Sequence, residues 1–134
     1  MKSIALLIAA ALAMATPAAA APPDGAATPN FSHPIPNIPG KSLVAVVVTY
    51  PPGGATPSHH HAKSAFIYGY VLSGVIQSQV EGEPVKTLTA GESFYEPPGA
   101  RHVVSRNASA TEPAKLLAVF VVDTDDAPLT TVDK

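Results

Sequence analysis

The stretch FIYGYVLSGVIQSQVE, residues 66–81, contains the pattern that decides the fold. Two runs rich in Val, Ile, Tyr and Phe, at residues 66–72 and 75–81, are separated only by Ser73-Gly74. Such runs are typical of β-strands, and a two-residue connection that contains Gly is typical of a hairpin turn. We therefore predict two strands that are joined by a tight turn at Gly74.

The same pattern recurs on both sides of this stretch. Further runs of strand-forming residues occupy positions 42–50, 92–96, 102–105 and 115–123. Segments rich in Pro and Gly, at 82–84 and 97–99, separate neighbouring runs and are typical of hairpin turns. No stretch has the period of an amphipathic helix, and the unbroken apolar run at 43–48 indicates burial on at least one face. The sequence predicts an all-β domain, a sandwich or barrel at residues 41–126, followed by a C-terminal tail at 127–134.

The first 20 residues have the composition of a signal peptide. Lys2 is followed by an apolar run at 4–15 and by the small residues Ala18-Ala19-Ala20, which suit a cleavage site. The apolar run ends at Thr16-Pro17, short of the roughly 20 residues that a spanning helix needs. We therefore expect a cleaved signal peptide, a periplasmic or secreted protein, and no membrane association after cleavage.

Residues 21–40 form a separate segment with six prolines and no helix or strand period. Proline fixes the backbone and removes hydrogen-bond donors, so we expect an extended N-terminal Pro-rich arm. Such an arm either lies along the edge of the domain or reaches a partner subunit.

The composition of the 134-residue chain restricts its chemistry. The chain has no cysteine, so it cannot form disulfides, thiolate metal sites or cysteine nucleophiles. The formal net charge of −2 gives no basic surface for a nucleic acid, so we expect no such partner. Any metal or catalytic site must use histidine, carboxylate or hydroxyl groups.

Histidine is the residue type that points to a site. Four of the five histidines lie in the predicted domain, and three of them are consecutive, His59-His60-His61. Because side chains alternate along a strand, His59 and His61 point to one side and could bind one divalent metal ion. His102, which follows the Pro-Pro-Gly turn, is the remaining domain histidine and a candidate third ligand. Exposed polar histidines are the alternative reading of this pattern.

Two motifs resemble those of the cupin family. Gly54-(x)4-His59-x-His61 resembles the first cupin motif, and Gly91-(x)5-Pro97-x-Gly99-(x)2-His102 fits the second as far as its histidine. The intervening YVLSG at residues 70–74 is similar to the turn between the motifs. The resemblance implies a single antiparallel jelly-roll β-barrel, commonly a homodimer, whose mouth holds one metal through His59, His61 and His102.

The chain departs from the family pattern at the first motif's glutamate. The positions that could hold it, depending on the count, are Ala65, Phe66 and Ile67. The asparagine that closes the second motif is also displaced, because position 106 is Arg106 and Asn107 comes one residue late.

Glu96 is the candidate replacement for the missing carboxylate, as a metal ligand or as a catalytic base. The alternative is a carboxylate at the rim, paired with Arg101 across the turn. Gln77 and Gln79 are weaker, neutral candidates for a ligand.

These residues predict a site for one divalent transition metal, with zinc, iron, manganese, nickel and copper all compatible with histidine ligands. We expect the metal to be presented to a small-molecule ligand or substrate. An enzyme of this kind would be a metal-dependent oxygenase, such as a dioxygenase, or an isomerase acting on an enolisable or hydroxylated carbonyl compound. A non-catalytic metal- or ligand-binding module and a structural barrel with a vacant site are the alternatives.

Overall fold

The structure, a computed structural model, describes residues 24–134, and the predicted signal peptide lies outside the described residues. The described residues form eleven strands and no helix, which confirms the all-β prediction. The strands are β1 Ala26–Pro34, β2 Lys41–Tyr50, β3 Ala55–Thr56, β4 His59–His61, β5 Phe66–Ser73, β6 Val75–Val80, β7 Lys86–Thr89, β8 Ser93–Glu96, β9 Arg101–Asn107, β10 Ala114–Asp123 and β11 Thr130–Val132.

Two antiparallel sheets face each other. One contains five strands in the order β1-β2-β10-β5-β8, and the other has the path β11-β4-β9-β6-β7, with β3 paired to β9. Strands that follow one another in the chain repeatedly change sheet, as they do in a jelly roll. The predicted antiparallel jelly-roll barrel is therefore confirmed.

Side-chain alternation along each strand fills the barrel. In β10, Leu116, Ala118, Phe120 and Val122 are buried between the sheets, whereas Leu117, Val119 and Val121 point outward and are only partly buried. The buried apolar residues form two clusters. One surrounds Tyr50, Val71 and Leu116, and the other surrounds Ile67, Phe120 and Val122.

Two predicted hairpins are corners between the sheets. Strand β5 pairs with β8 and β10, whereas β6 pairs with β7 and β9, so Ser73-Gly74 carries the chain from one sheet to the other. Gly74 has a φ of 74°, and a Cβ there would lie 2.6 Å from the Pro113 carbonyl oxygen. The turn at 97–99 likewise joins β8 to β9 of the opposite sheet. Only the segment at 82–84 closes a hairpin as predicted, between β6 and β7.

Segments on both sides of the predicted domain join the sheets. Strand β1 of the Pro-rich arm pairs along β2 at the edge of its sheet, and all nine of its residues are exposed. Strand β11 of the predicted C-terminal tail pairs with β4, which carries the consecutive histidines. In the described part of the chain, no helix is long and apolar enough to cross a membrane.

Candidate metal centre

Three histidines converge inside the barrel. His59 and His61 lie on β4, and His102 is the direct cross-strand partner of His59 on β9. One ring nitrogen from each lies within 4.8 Å of those of the other two. His59 and His102 are buried, whereas His60 points outward and is exposed, as strand alternation predicts. The sequence-based candidates therefore come together at one point.

Hydrogen bonds set the tautomers of the two β4 histidines. The Nδ1–H of His59 donates to the Pro57 carbonyl at 2.8 Å, and the Nδ1–H of His61 donates to the Leu129 carbonyl at 3.1 Å. Because a carbonyl only accepts, each Nδ1 must carry the proton. Each neutral ring then keeps a lone pair on Nε2, and an outer hydrogen bond of this kind orients a metal-binding histidine.

His102 is held from both sides of the barrel, by Ser78 on the neighbouring strand β6 of its own sheet and by Glu96 on β8 of the opposite sheet. Its Nε2 and the Ser78 hydroxyl are 2.8 Å apart, while its Nδ1 lies 3.2 Å from Glu96 Oε1. Burial lowers the pKa of His102 to about 4, in spite of the opposing charge of Glu96. Burial also lowers the pKa of His59. At neutral pH both rings are uncharged, which is the form that binds metal.

Glu96 lies inside the barrel with the histidines, and only 2% of it is exposed. Its Oε2 is 3.5 Å from His61 Nε2 and has no hydrogen-bond partner. Burial would raise the pKa of Glu96, but the three imidazoles around it hold the pKa below its usual value. A buried carboxylate oxygen facing imidazole lone pairs is costly unless a cation lies between them. The donor set thus fits a divalent metal ion.

Arg101, the expected rim partner of Glu96, and the two neutral ligand candidates Gln77 and Gln79 all point away from the barrel interior. Arg101 forms ion pairs with Asp133 and Glu81. The expected pair between Arg101 and a Glu96 at the rim does not form, because alternation along β9 points Arg101 outward and His102 inward. The same alternation along β6 buries Ser78 and turns the two glutamines outward. Gln77 is bonded to Arg106 and Gln79 to the Glu83 carbonyl, so neither faces the histidines.

The histidines and Glu96 lie at the wall of a cavity of about 140 Å³. Apolar residues form most of the remaining wall, including Val48, Ile67, Phe94 and Leu116. Two further polar groups at this interior, Tyr50 and Ser78, were missed from the sequence. Each lies on the same side of its strand as apolar residues that face the barrel interior, two positions away along the chain. This alternation is the sequence signal that would have found them.

Tyr50 contributes a hydroxyl to the cavity. It lies 2.7 Å from the Ser105 hydroxyl and 2.8 Å from that of Thr56. Burial raises the pKa of Tyr50, which keeps the phenol protonated at neutral pH. The group is therefore a neutral hydrogen-bond donor or acceptor.

The segment 129–133, here called the strap, fixes β4 from its outer side. His61 Nδ1 contacts two groups of the strap, the Leu129 carbonyl and, at 2.9 Å, the Thr130 hydroxyl. Thr130 also lines the cavity. Asp133 accepts hydrogen bonds from Ser58 Oγ and Arg101 Nε, each at 2.6 Å. These bonds, with a third from His60, lower the pKa of Asp133. The predicted tail thus orients a candidate ligand.

A jelly-roll barrel with inward histidines on two adjacent strands is the architecture that the two sequence motifs imply. The Cupin domain family matches residues 46–120, more than half of the chain. The protein is a cupin: the chain belongs to the cupin family.

Three solved structures illustrate the similarity. The TT1209 protein from Thermus thermophilus is 31% identical, with 74% of this chain and 84% of that chain covered and a TM-score of 0.58. DMSP lyase DddQ from Ruegeria pomeroyi is 29% identical over 67% of this chain, with a TM-score of 0.56. An uncharacterized conserved protein with a double-stranded beta-helix domain from Klebsiella pneumoniae is 20% identical, covers 83% of this chain and 85% of its own, and has a TM-score of 0.64.

The match covers 42% of the DMSP lyase chain, so this chain corresponds to less than half of that protein. No curated protein matches the chain in sequence.

Proposed function

We propose that this cupin binds one divalent transition metal ion through His59, His61 and His102, with Glu96 as the fourth protein group. The observation that carries the proposal is the buried Oε2 of Glu96, which has no hydrogen-bond partner and lies 3.5 Å from an imidazole nitrogen. Two or three histidines with a carboxylate suit zinc, iron, manganese, nickel or copper.

A bound metal would act as a Lewis acid toward an oxygen atom of a ligand. The chain's own residues provide the rest of the site. Glu96, which is ionised at neutral pH, would either hold the metal through Oε2 or, if it does not bind the metal, accept a proton there as a base. The apolar wall excludes water, which strengthens each charge interaction inside the cavity.

The cavity limits the ligand to a small molecule. A cavity of about 150 Å³ holds a molecule of the size of benzene, about six heavy atoms, and the volume here is about 140 Å³. A divalent ion with three neutral histidines and one carboxylate retains a positive charge, which favours an anionic oxygen ligand. We propose a small hydroxylated or enolisable carbonyl compound.

The enzymatic form of the proposal is a metal-dependent oxygenase or isomerase. Removal of a proton next to a carbonyl by Glu96 is a step that isomerases and lyases share, and the 29% identity to a DMSP lyase supports including a lyase in this class. The second candidate is a non-catalytic module that binds metal or a small ligand. The absence of a glutamate at positions 65–67 supports this alternative.

Elemental analysis of protein purified without a histidine tag tests metal binding. We expect about one equivalent of a transition metal in the parent protein and in His33→Ala, a control whose histidine is exposed on β1. His59→Ala and His102→Ala should lose the metal and keep their circular dichroism spectra. A parent that stays metal-free after incubation with all five metals would refute the proposal.

A further variant, His61→Ala, separates the enzyme from the binding module. Once a turnover assay exists, an enzyme loses activity in His61→Ala while it remains folded. A binding module loses only the metal, and a structural barrel loses neither.

We also propose that the protein is exported to the periplasm or secreted and forms a homodimer. The sequence of residues 1–20 supports export. N-terminal analysis of the protein from each cell fraction tests it, because cleavage after Ala20 would leave Ala21 as the first residue.

A further inference from the structure

Three side-chain hydroxyls, here called the hydroxyl cluster, meet at the wall of the cavity. They belong to Tyr50 on β2, Thr56 on β3 and Ser105 on β9, and all three residues line the cavity. Tyr50 and Ser105 are buried, and Thr56 is half-buried. A few placed polar groups in a mostly apolar wall are the groups that orient a ligand.

The hydrogen bonds within the hydroxyl cluster assign its protons. Each hydroxyl has one proton to donate and two lone pairs that accept. The Thr56 hydroxyl donates to the main-chain carbonyl of Ser105 at 3.3 Å, so it must accept in its 2.8 Å contact with the Tyr50 hydroxyl. The Tyr50 proton is then used as well, so Ser105 Oγ donates to the Tyr50 oxygen at 2.7 Å. All three protons are therefore used within the hydroxyl cluster.

The hydroxyl cluster offers only acceptors to a molecule in the cavity. The oxygens of Tyr50 and Thr56 each keep one free lone pair, and Ser105 Oγ keeps two. Because burial raises the pKa of Tyr50, the phenol is protonated at neutral pH and brings no charge. A neutral group of this kind pairs with a hydrogen-bond donor, whereas an oxygen that only accepts would lie unpaired against it.

The hydroxyl cluster and the histidines lie at different levels of the barrel. On β10, Leu116 belongs to the same core cluster as Tyr50. Phe120, four positions or about 13 Å further along β10, packs against His61 with ring centroids 5.1 Å apart. The cavity is lined by residues of both levels. It therefore has two polar ends, with apolar wall between them.

We propose that the hydroxyl cluster selects the ligand, and that the cavity takes a short carboxylate with a hydroxyl group at its far end. The anionic end of this ligand rests on the proposed metal centre, whereas the choice of a donor at the far end rests on the hydroxyl cluster. The cavity of about 140 Å³ holds about six heavy atoms. A three-carbon carboxylate with a terminal hydroxyl, such as 3-hydroxypropanoate, has that size.

Nuclear magnetic resonance titration of metal-free protein tests the hydroxyl cluster without the metal. The probes are 2-propanol and acetone, which have nearly the same size, although only the alcohol donates a hydrogen bond. We expect 2-propanol to bind about tenfold more tightly, measured by the methyl signals of Val48 and Leu116 at the cavity wall. A parent protein that binds both probes alike, or neither, would overturn the proposal.

Tyr50→Phe assigns the preference to the hydroxyl cluster. The change removes one acceptor and releases the Ser105 proton, so the variant should lose most of its preference for the alcohol and keep its circular dichroism spectrum. Tyr68→Phe is the matched control, because Tyr68 is exposed on β5, and it should bind like the parent. A preference that Tyr50→Phe leaves intact would belong to another acceptor, such as Glu96, and would contradict the proposal.

Thr56→Val provides a second variant if Tyr50→Phe fails to fold. It removes the acceptor of the Tyr50 proton, so a proton of the hydroxyl cluster becomes free to face the cavity. Acetone should then bind more tightly than it binds to the parent protein. Unchanged acetone binding in folded Thr56→Val would count against the proton assignment and thus against the proposal.

Isothermal titration of zinc-loaded protein tests the whole ligand. We expect 3-hydroxypropanoate to bind about tenfold more tightly than butanoate, which has the same number of heavy atoms and no donor at its far end. If zinc binds and the two carboxylates bind alike, the ligand assignment is wrong and the metal centre stands. If zinc does not bind but metal-free protein prefers 2-propanol, the metal centre is wrong and the selection by the hydroxyl cluster stands.

Discussion

Ile67 and Glu96 lie directly opposite each other on the neighbouring strands β5 and β8, and both side chains point into the barrel. Ile67 is the position at which the first cupin motif has its glutamate when the count is made back from Gly74. Directly opposed residues in an antiparallel pair have Cβ atoms about 4.5–5.5 Å apart. The carboxylate is therefore supplied by the adjacent strand at the same level of the barrel.

This pairing predicts that a carboxylate at position 67 can replace the one at position 96. Glu96→Gln should weaken metal affinity by more than the roughly 10–100-fold typical of losing an outer hydrogen-bond partner, because among residues 24–134 Glu96 is the only acidic group that lines the cavity. Adding Ile67→Glu to Glu96→Gln should restore much of the affinity. Isothermal titration of chelator-treated protein with zinc measures both changes. Equal affinities for parent and Glu96→Gln would show that Glu96 does not contact the metal.

We predict that Asp133, which lies in the strap, affects the metal affinity of the centre. Asp133→Asn weakens the hydrogen bonds to Arg101 and Ser58 that hold β11 against β4, and so loosens the Leu129 contact with His61. We expect metal affinity to fall about 10–100-fold with an unchanged fold. Asp125→Asn, an exposed acid in the preceding loop, is the control. If both variants bind metal like the parent, the strap does not position His61.

The pH dependence of stability should report on His102 in metal-free protein. In the folded state its pKa is about 4, while an unfolded histidine titrates near 6.5. Between these values the unfolded chain binds more protons, so the free energy of unfolding should fall as the pH decreases. The loss attributable to His102 should be on the order of 2–3 kcal/mol between pH 6.5 and 4.5.

Urea denaturation at a series of pH values measures this dependence. His102→Gln should have a flatter profile than the parent over that interval. Glu96 and Asp133, whose pKa values are lowered, add their own loss of stability only at more acidic pH. Identical slopes for parent and variant above pH 4.5 would contradict the assignment.

Gly69 has a steric role beside the cavity. A Cβ at this position would lie 2.5 Å from ring atoms of Phe94, its cross-strand partner. Gly69→Ala should therefore cost about 1–3 kcal/mol of stability through overpacking, visible as a lower melting temperature. Adding Phe94→Leu should recover part of the loss by making room. A melting temperature unchanged by Gly69→Ala would mean that the ring has space to move.

The apolar runs were sufficient to predict an all-β domain, and strand alternation was sufficient to pair His59 with His61. The jelly-roll barrel and the convergence of His102 with the other two histidines were implied only by the resemblance of the two motifs to the cupin family. The side of the sheet to which a residue points is harder to predict next to a turn. The sequence therefore could not decide whether Glu96 points into the barrel or lies at its rim. Turn residues specify a reversal but not the sheet in which the next strand pairs, so the sequence predicts a hairpin at Gly74 where the structure has a corner between the sheets. Strand β11 has three residues, too few to produce a pattern of alternation in the sequence. It forms because a distant segment, β4, supplies its hydrogen-bond partners.

The centre is assembled from segments far apart in the chain, since His61 and Leu129 are separated by 68 positions. During synthesis, His59 and His61 leave the ribosome well before the residues that set the tautomer of His61. A nascent chain therefore has both imidazoles before the contact that orients His61, and we expect the proposed metal to bind tightly only after the strap has docked. If the chain crosses a membrane unfolded, the metal is taken from the pool on the far side.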